Sequence, residues 1–356
     1  MDSPSKYFDV AYAAFCAEEQ TSEEAATFSI QIANNFTVQI RLANEKLVSR
    51  FRPAVQNLVC EAVSVPDLSI CIWESPAPGF SPQLRWGEPF VQMWTGSASK
   101  VYCNPGEGRL MAADWQRNVG LFWMKSFENL MWWEDARPLI DILHWWLLSR
   151  KTYFIHSAAV GTAHGAALLV GAGGSGKSTT ALTCLEAGLL YAGDDFCLVD
   201  RYQGVPRVFG TYSSAKLHPW SLEKLPGLHA MVSPLPCIND GDDSKQMLFF
   251  DESYSKLLAR EMPIRVILLP KVGHCETSFL TPVSHNTVLK ALIPSTKEIL
   301  KGCDVTDFYG VFALTKGIPS YQLTLGTDQA QLIDVIEQSI KKAGAKEQTP
   351  VFGKER

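Results

Sequence analysis

The segment Gly171-Ala172-Gly173-Gly174-Ser175-Gly176-Lys177-Ser178 constrains this chain more than any other. It satisfies the pattern G-x-x-x-x-G-K-[ST]. An apolar run suited to a buried strand, Ala166-Ala167-Leu168-Leu169-Val170, leads into it. A helical stretch from Thr179 to Ala187 follows and is stopped by Gly188. Strand, glycine loop and helix in that order make an α/β unit. Glycines let backbone N–H groups turn inward toward phosphate oxygens without a Cβ clash. The helix adds unsatisfied N–H groups and the positive end of its dipole. In such a loop Lys177 reaches the terminal phosphates, and the Ser178 hydroxyl can ligate Mg²⁺.

The 356 residues suggest two domains, or one large domain with an extension. With 46% hydrophobic and 19% charged residues, a buried core is expected rather than disorder. The net charge of −5 and the lack of a basic block argue against a nucleic-acid partner. They do not argue against a nucleotide, which needs only one local positive site. Nine scattered cysteines without a C-x-x-C pair point to free thiols in a reducing cytosol. The N-terminus shows no secretion signal. The most lipid-like run, residues 139–148, is too short to span a bilayer and is interrupted by Asp141 and His144. A cytoplasmic protein with no membrane partner is expected.

Residues 25–125 carry β-rich runs such as Phe36-Thr37-Val38-Gln39-Ile40 and Leu68-Ser69-Ile70-Cys71-Ile72-Trp73. Turn material separates them at 75–79 and 104–108. A helix is expected over 137–150, with Pro138 in its first turn. Trp132, Trp133, Trp145 and Trp146 crowd this region and are read as packing residues. The expected division is a β-rich accessory domain over 1–135, a catalytic core over 136–340 and a flexible tail over 341–356.

After the helix comes Leu189-Leu190-Tyr191-Ala192-Gly193-Asp194-Asp195. A carboxylate pair at a strand end is commonly a solvated turn. In a parallel sheet, however, the strand next to the loop ends near the nucleotide. One carboxylate there can hold Mg²⁺ and the other can accept a proton. His156 precedes Gly171 by fifteen residues, and residues 157–170 read as a β-hairpin that would return it to the phosphate site. Lys245 and Arg265 are further candidates to reach a transferring phosphate. The loop Asn239-Asp240-Gly241-Asp242-Asp243 lacks the twelve-residue, Glu-closed pattern of a calcium site.

Taken together, His156, the loop 171–178, Gly188 and Asp194-Asp195 resemble the HPr kinase family over about 45 residues. The resemblance implies an α/β P-loop kinase core of the HPr kinase/phosphoenolpyruvate carboxykinase type, behind an N-terminal β-rich accessory domain. It implies ATP or another nucleoside triphosphate held by residues 171–179, Thr179 included, with Mg²⁺ at Ser178 and Asp195. It makes Asp194 the acid/base, assisted by Lys177, with His156 orienting Asp194. The RGLGI signature of that family is missing, and Gly210-Thr211-Tyr212-Ser213-Ser214-Ala215-Lys216-Leu217-His218-Pro219 stands instead. The layout is similar to that of HPr-kinase-like tailoring kinases of lasso-peptide clusters, which implies a serine hydroxyl on a precursor peptide as acceptor. A kinase of a free small molecule or of a phosphocarrier protein is the alternative. A nucleotide-binding switch or ATPase without an acceptor is the second alternative. Related kinases assemble as homo-oligomers.

Overall fold

The computed structural model describes residues 4–76, 91–233, 245–302 and 304–347. The chain divides into two compact units, Met1–Lys151 with Leu300–Cys303, and Thr152–Ile299 with Asp304–Arg356. Both are mixed α/β.

The first unit contains α1 (Pro4–Thr21), β1 (Ala26–Ile32), β2 (Phe36–Leu42), α2 (Val48–Phe51), β3 (Val59–Cys60) and β4 (Leu68–Glu74). It continues with β5 (Gln92–Thr95), β6 (Ser99–Asn104), β7 (Arg109–Asp114), β8 (Val119–Met124), α3 (Trp132–Asp135) and α4 (Ile140–Leu148). Its sheet has the order β3-β1-β2-β4-β8-β7-β6-β5. β2, β4 and β8 run parallel, and the other pairings are antiparallel. Period-two alternation places Cys71, Trp73, Leu121 and Trp123 in one cluster with Phe8 and Phe15 of α1. The alternate positions serve the other face. There a Cβ on Gly120 would meet Ile142 Cγ2 of α4 at 2.5 Å, so only glycine allows the helix to approach so closely.

α4 packs on the first sheet, and the division between the two compact units falls after Lys151. The helix is also shorter than the 137–150 expected. Leu139, just before it, adopts a left-handed φ of 62°. Trp145 and Trp146 are buried, and their indoles donate to Lys301 O at 2.8 Å and Asn118 Oδ1 at 2.9 Å. The side chains of Trp132 and Trp133 lie outside what the structure describes.

The second unit begins with β9 (Tyr153–Ile155), β10 (Ser157–Thr162), β11 (Gly165–Val170), α5 (Lys177–Glu186) and β12 (Leu190–Gly193). β13 (Cys197–Tyr202), β14 (Val205–Phe209), β15 (Ser214–Leu217), α6 (Pro219–Leu222) and β16 (Gln246–Phe249) follow. β17 (Glu261–Val272), β18 (Phe279–Pro282), α7 (His285–Ile299), α8 (Tyr309–Thr315), β19 (Ser320–Leu325) and α9 (Gln329–Glu347) complete it. Seven strands run in the order β12-β10-β11-β17-β14-β13-β9, with β19 and then β18 attached beside β17. β15 and β16 pair separately. The run 165–170 is buried throughout because β11 lies inside the sheet with helices packed against it. α5 and α9 supply Ala181, Leu182, Leu185, Ile336 and Ile340 to a core shared with Val160, Leu169, Val266 and Leu268.

α9 carries the chain through residue 347, so the first part of the expected tail is helical, and residues 348–356 lie outside the described residues. The loop 239–243 and turn residues 77–79 also lie outside them. The described cysteines are free. No described helix is long and apolar enough to cross a membrane.

Candidate active site

Strand direction explains why distant residues meet here. β11 ends at Val170 and runs directly into the glycine loop. β10 pairs antiparallel with it, Ser157 opposite Val170, and so returns His156 to the same sheet edge. β12 is antiparallel to β10 and therefore points the same way as β11, delivering Asp194 and Asp195 there. β17 and β19 run parallel to β11 and bring Gly273 and Gly326 to that edge. The result is a cleft of about 520 Å³ at the carboxyl ends of parallel strands.

The loop has a packed root and an open rim. Gly174 and Gly176 have φ of 75° and 103°, which favours glycine. A Cβ on Gly176 would meet Leu325 Cδ1 at 2.6 Å, whereas one on Gly173 or Gly174 would meet nothing within 4 Å. Gly173, Gly174, Gly176, Lys177, Ser178 and Thr179 line the cleft, and Gly171, Ala172 and Ser175 are not among its lining residues. Lys177 is buried, and its Nζ donates to Gly171 O at 2.7 Å and Ala172 O at 3.1 Å. Burial lowers its pKa, Lys245 adds to the lowering, and Asp194 and Asp195 oppose it. An ammonium parked on loop carbonyls is available to an anion that replaces them.

The two carboxylates differ. Asp194 is 5% exposed and does not line the cleft. Neither of its oxygens has a partner in ordinary hydrogen-bond geometry. Burial and then the Asp195 charge raise its pKa, while Ser178, the Asp195 amide and Lys177 pull it down. Asp195 does line the cleft. Its Oδ2 accepts from Lys216 Nζ at 2.7 Å, and its Oδ1 lies 3.7 Å from His156 Nε2. Its φ of 67° is an uncommon conformation that aspartate tolerates better than most residues, stabilised here by two cationic or potentially cationic neighbours. His156 therefore meets Asp195 and not the expected Asp194. The backbone explains this, because the left-handed turn at Asp195 sends consecutive side chains in different directions.

Sequence reasoning missed Lys216, His218, Trp220 and Lys224, all of which line the cleft. A signal existed in the segment 214–217. Ala215 and Leu217 alternate into the core, so Lys216 points away from it. Of the two cations considered for the transferring phosphate, Lys245 lines the cleft. Arg265 does not, because its Nε donates to His164 O at 3.1 Å at the tip of the β10–β11 hairpin. That tip is the far end of a six-residue strand, about 17 Å from the loop.

No group of three His, Cys, Asp or Glu side chains among the described residues could hold a metal ion. The donors at the loop include the Ser178 hydroxyl and the neighbouring carboxylates. Mg²⁺ in phosphoryl-transfer sites takes few protein ligands and completes its shell with phosphate oxygens and water, so this set fits it.

No family model matches the chain, and no curated protein matches it. Matches among solved structures include the Hpr(Ser) kinase/phosphatase from Coxiella burnetii, 8% identical, with a TM-score of 0.30, covering 56% of this chain and 99% of that one.

Proposed function

We propose that the second unit transfers the γ-phosphoryl group of a nucleoside triphosphate to an aliphatic hydroxyl, with a serine side chain as the acceptor. The observation that carries this reading is a glycine loop, open at Gly173 and Gly174, sharing one cleft with a carboxylate held between a histidine and a lysine. A nucleotide-binding switch needs the loop but has no use for a proton acceptor beside it. Mg²⁺, when bound, would offset charge on the phosphates from Ser178 and a carboxylate.

The loop amides and the α5 terminus bind and orient the triphosphate. Lys177 leaves the loop carbonyls for the terminal phosphates. Asp195 accepts the hydroxyl proton as the acceptor oxygen bonds to the γ-phosphorus. The bond from that phosphorus to the β-bridging oxygen breaks, giving a phosphate ester and a nucleoside diphosphate. A carboxylate is a weak base toward an alcohol, so positioning and charge stabilisation supply most of the acceleration. Asp194, buried beside Ser178, supports the metal side. These carboxylate roles are the converse of those the resemblance implies. Cleft lining and the His156 and Lys216 contacts favour the exchange. The layout shared with lasso-peptide tailoring kinases makes a ribosomal precursor peptide the first acceptor to test.

The test is incubation with Mg·ATP and serine-containing acceptors, read by mass. Lys177→Ala should abolish the 80 Da gain ascribed to one phosphate (about 80 Da per transfer). Asp195→Asn should reduce it at least about 10²-fold, with nucleotide binding retained. ATP consumption that is equal with and without every acceptor, and unaltered in Asp195→Asn, would sink the reading.

A further inference from the structure

The cleft lining has parts of unlike chemistry. Val272, Gly273, Leu325 and Gly326, at strand ends, are apolar or lack side chains. A second part of the lining is the segment 216–224, from β15 across α6, with Lys216, His218, Trp220 and Lys224. The rings of His218 and Trp220 stack at 5.5 Å with an interplanar angle of 13°. Trp220 remains 59% exposed, and Lys224 Nζ stands 6.0 Å from its ring centroid. An exposed indole carrying a cation is an unusual surface to leave in water, and it offers a flat apolar shelf beside a positive charge.

Four described lysines, Lys177, Lys216, Lys224 and Lys245, line the cleft. Lys216 already bonds to Asp195, the one carboxylate among the described residues that line it. Lys177 Nζ is held by the loop carbonyls Gly171 O and Ala172 O. No carboxylate stands within ion-pair distance of Lys224 among the described residues. Among the described residues, the cleft lining thus carries more lysines than carboxylates, on the side that holds the Asp195–Lys216 pair.

We propose that this side of the cleft is the acceptor subsite and that the acceptor is anionic, a hydroxyl compound whose carboxylate or phosphate group pairs with Lys224 beside the Trp220 indole. The inference rests on the phosphotransfer reading above. It deepens that reading by naming the charge of the acceptor. The chemistry is shared by an acidic serine peptide and by a small hydroxy acid, and the experiment separates them.

Binding is measured without turnover, by anisotropy of labelled serine peptides flanked either by Asp or by Asn, with glycerate as competitor. The acidic peptide should bind about tenfold more tightly, as expected for one close charge pair in a partly desolvated cleft. Lys224→Gln should erase the difference and Lys224→Arg restore it. Lys224 is exposed, so neither change threatens the fold. Affinity for a fluorescent ADP analogue should be the same in all three proteins. Competition by glycerate at the same Lys224-dependent site, with no peptide preference, assigns the subsite to small hydroxy acids. Equal binding of both peptides without glycerate competition overturns the proposal. So does a Lys224→Gln protein that loses ADP as strongly as peptide, since Lys224 would then serve the nucleotide. Tight acidic binding without phosphate transfer to any acceptor would remove the phosphotransfer reading and leave the subsite standing.

Discussion

At the scale of single residues, the glycines of this chain separate function from stability. Gly173 has open space where a Cβ would stand, so Gly173→Ala leaves the fold intact and places a methyl group where a phosphate would sit. Nucleotide affinity should fall at least about tenfold (~1.4 kcal/mol), with an unchanged melting temperature. Gly120→Ala is the opposite case, since its Cβ would stand 2.5 Å from Ile142 Cγ2. Overpacking of this kind costs about 1–3 kcal/mol, readable as a lower urea midpoint with nucleotide affinity untouched. If both variants lost stability equally, the distinction between open and packed glycines would be wrong. The loop glycines were legible in the sequence because their spacing reports a backbone requirement. Gly120 was not, because nothing in a strand pattern says which helix will cross it. The same limit hid Lys216, whose role depends on a partner, Asp195, twenty-one residues away.

Elements were easier to read than their pairings. The strands at 36–42 and 68–74, the hairpin 157–170, and the strand–loop–helix at 165–186 follow from local pattern. Sheet order did not, because β17 joins β11, β14 and β19 through contacts between residues far apart in sequence. One such pairing makes a test. β13 and β14 form a hairpin in which Asp200 and Arg207 face each other, and the guanidinium holds both carboxylate oxygens at 2.9 and 2.6 Å. Both side chains are largely buried, and Arg207 also reaches Glu261 of β17. Removing the arginine leaves a buried carboxylate without its bidentate partner, which costs about 3–5 kcal/mol in comparable pairs. Asp200→Ala should cost less, because Arg207 keeps Glu261. Chemical denaturation of the two variants should therefore rank Arg207→Ala as the more damaged protein. The reverse ranking would mean that the hairpin does not depend on this pair.

At the scale of the whole molecule, two units with separate cores carry different chemistry. The cleft and its charges belong to the second, and the first holds a buried histidine that makes its stability depend on pH. His144 lies on α4, 2% exposed, in the core of the first unit. Burial, with a smaller push from Lys100, lowers its pKa to about 3. The imidazole is therefore neutral in the folded chain at pH 7, and it is also largely neutral in the unfolded chain there. As pH falls below the ordinary value near 6.5, the unfolded chain takes up a proton that the folded chain refuses. Stability is then lost progressively until the pH reaches about 3. By pH 5 the loss from this one group is about 2 kcal/mol. Asp135 and Asp141 nearby act in the opposite sense, because burial raises their pKa values and protonation relieves a buried charge. A bare acid titration would mix these effects. Comparison with His144→Leu isolates the histidine, since the carboxylates are common to both proteins. The difference in unfolding free energy between pH 7 and pH 5 should be smaller in the variant by about 2 kcal/mol. Equal pH dependence in the two proteins would show that His144 accepts its proton without unfolding the first unit.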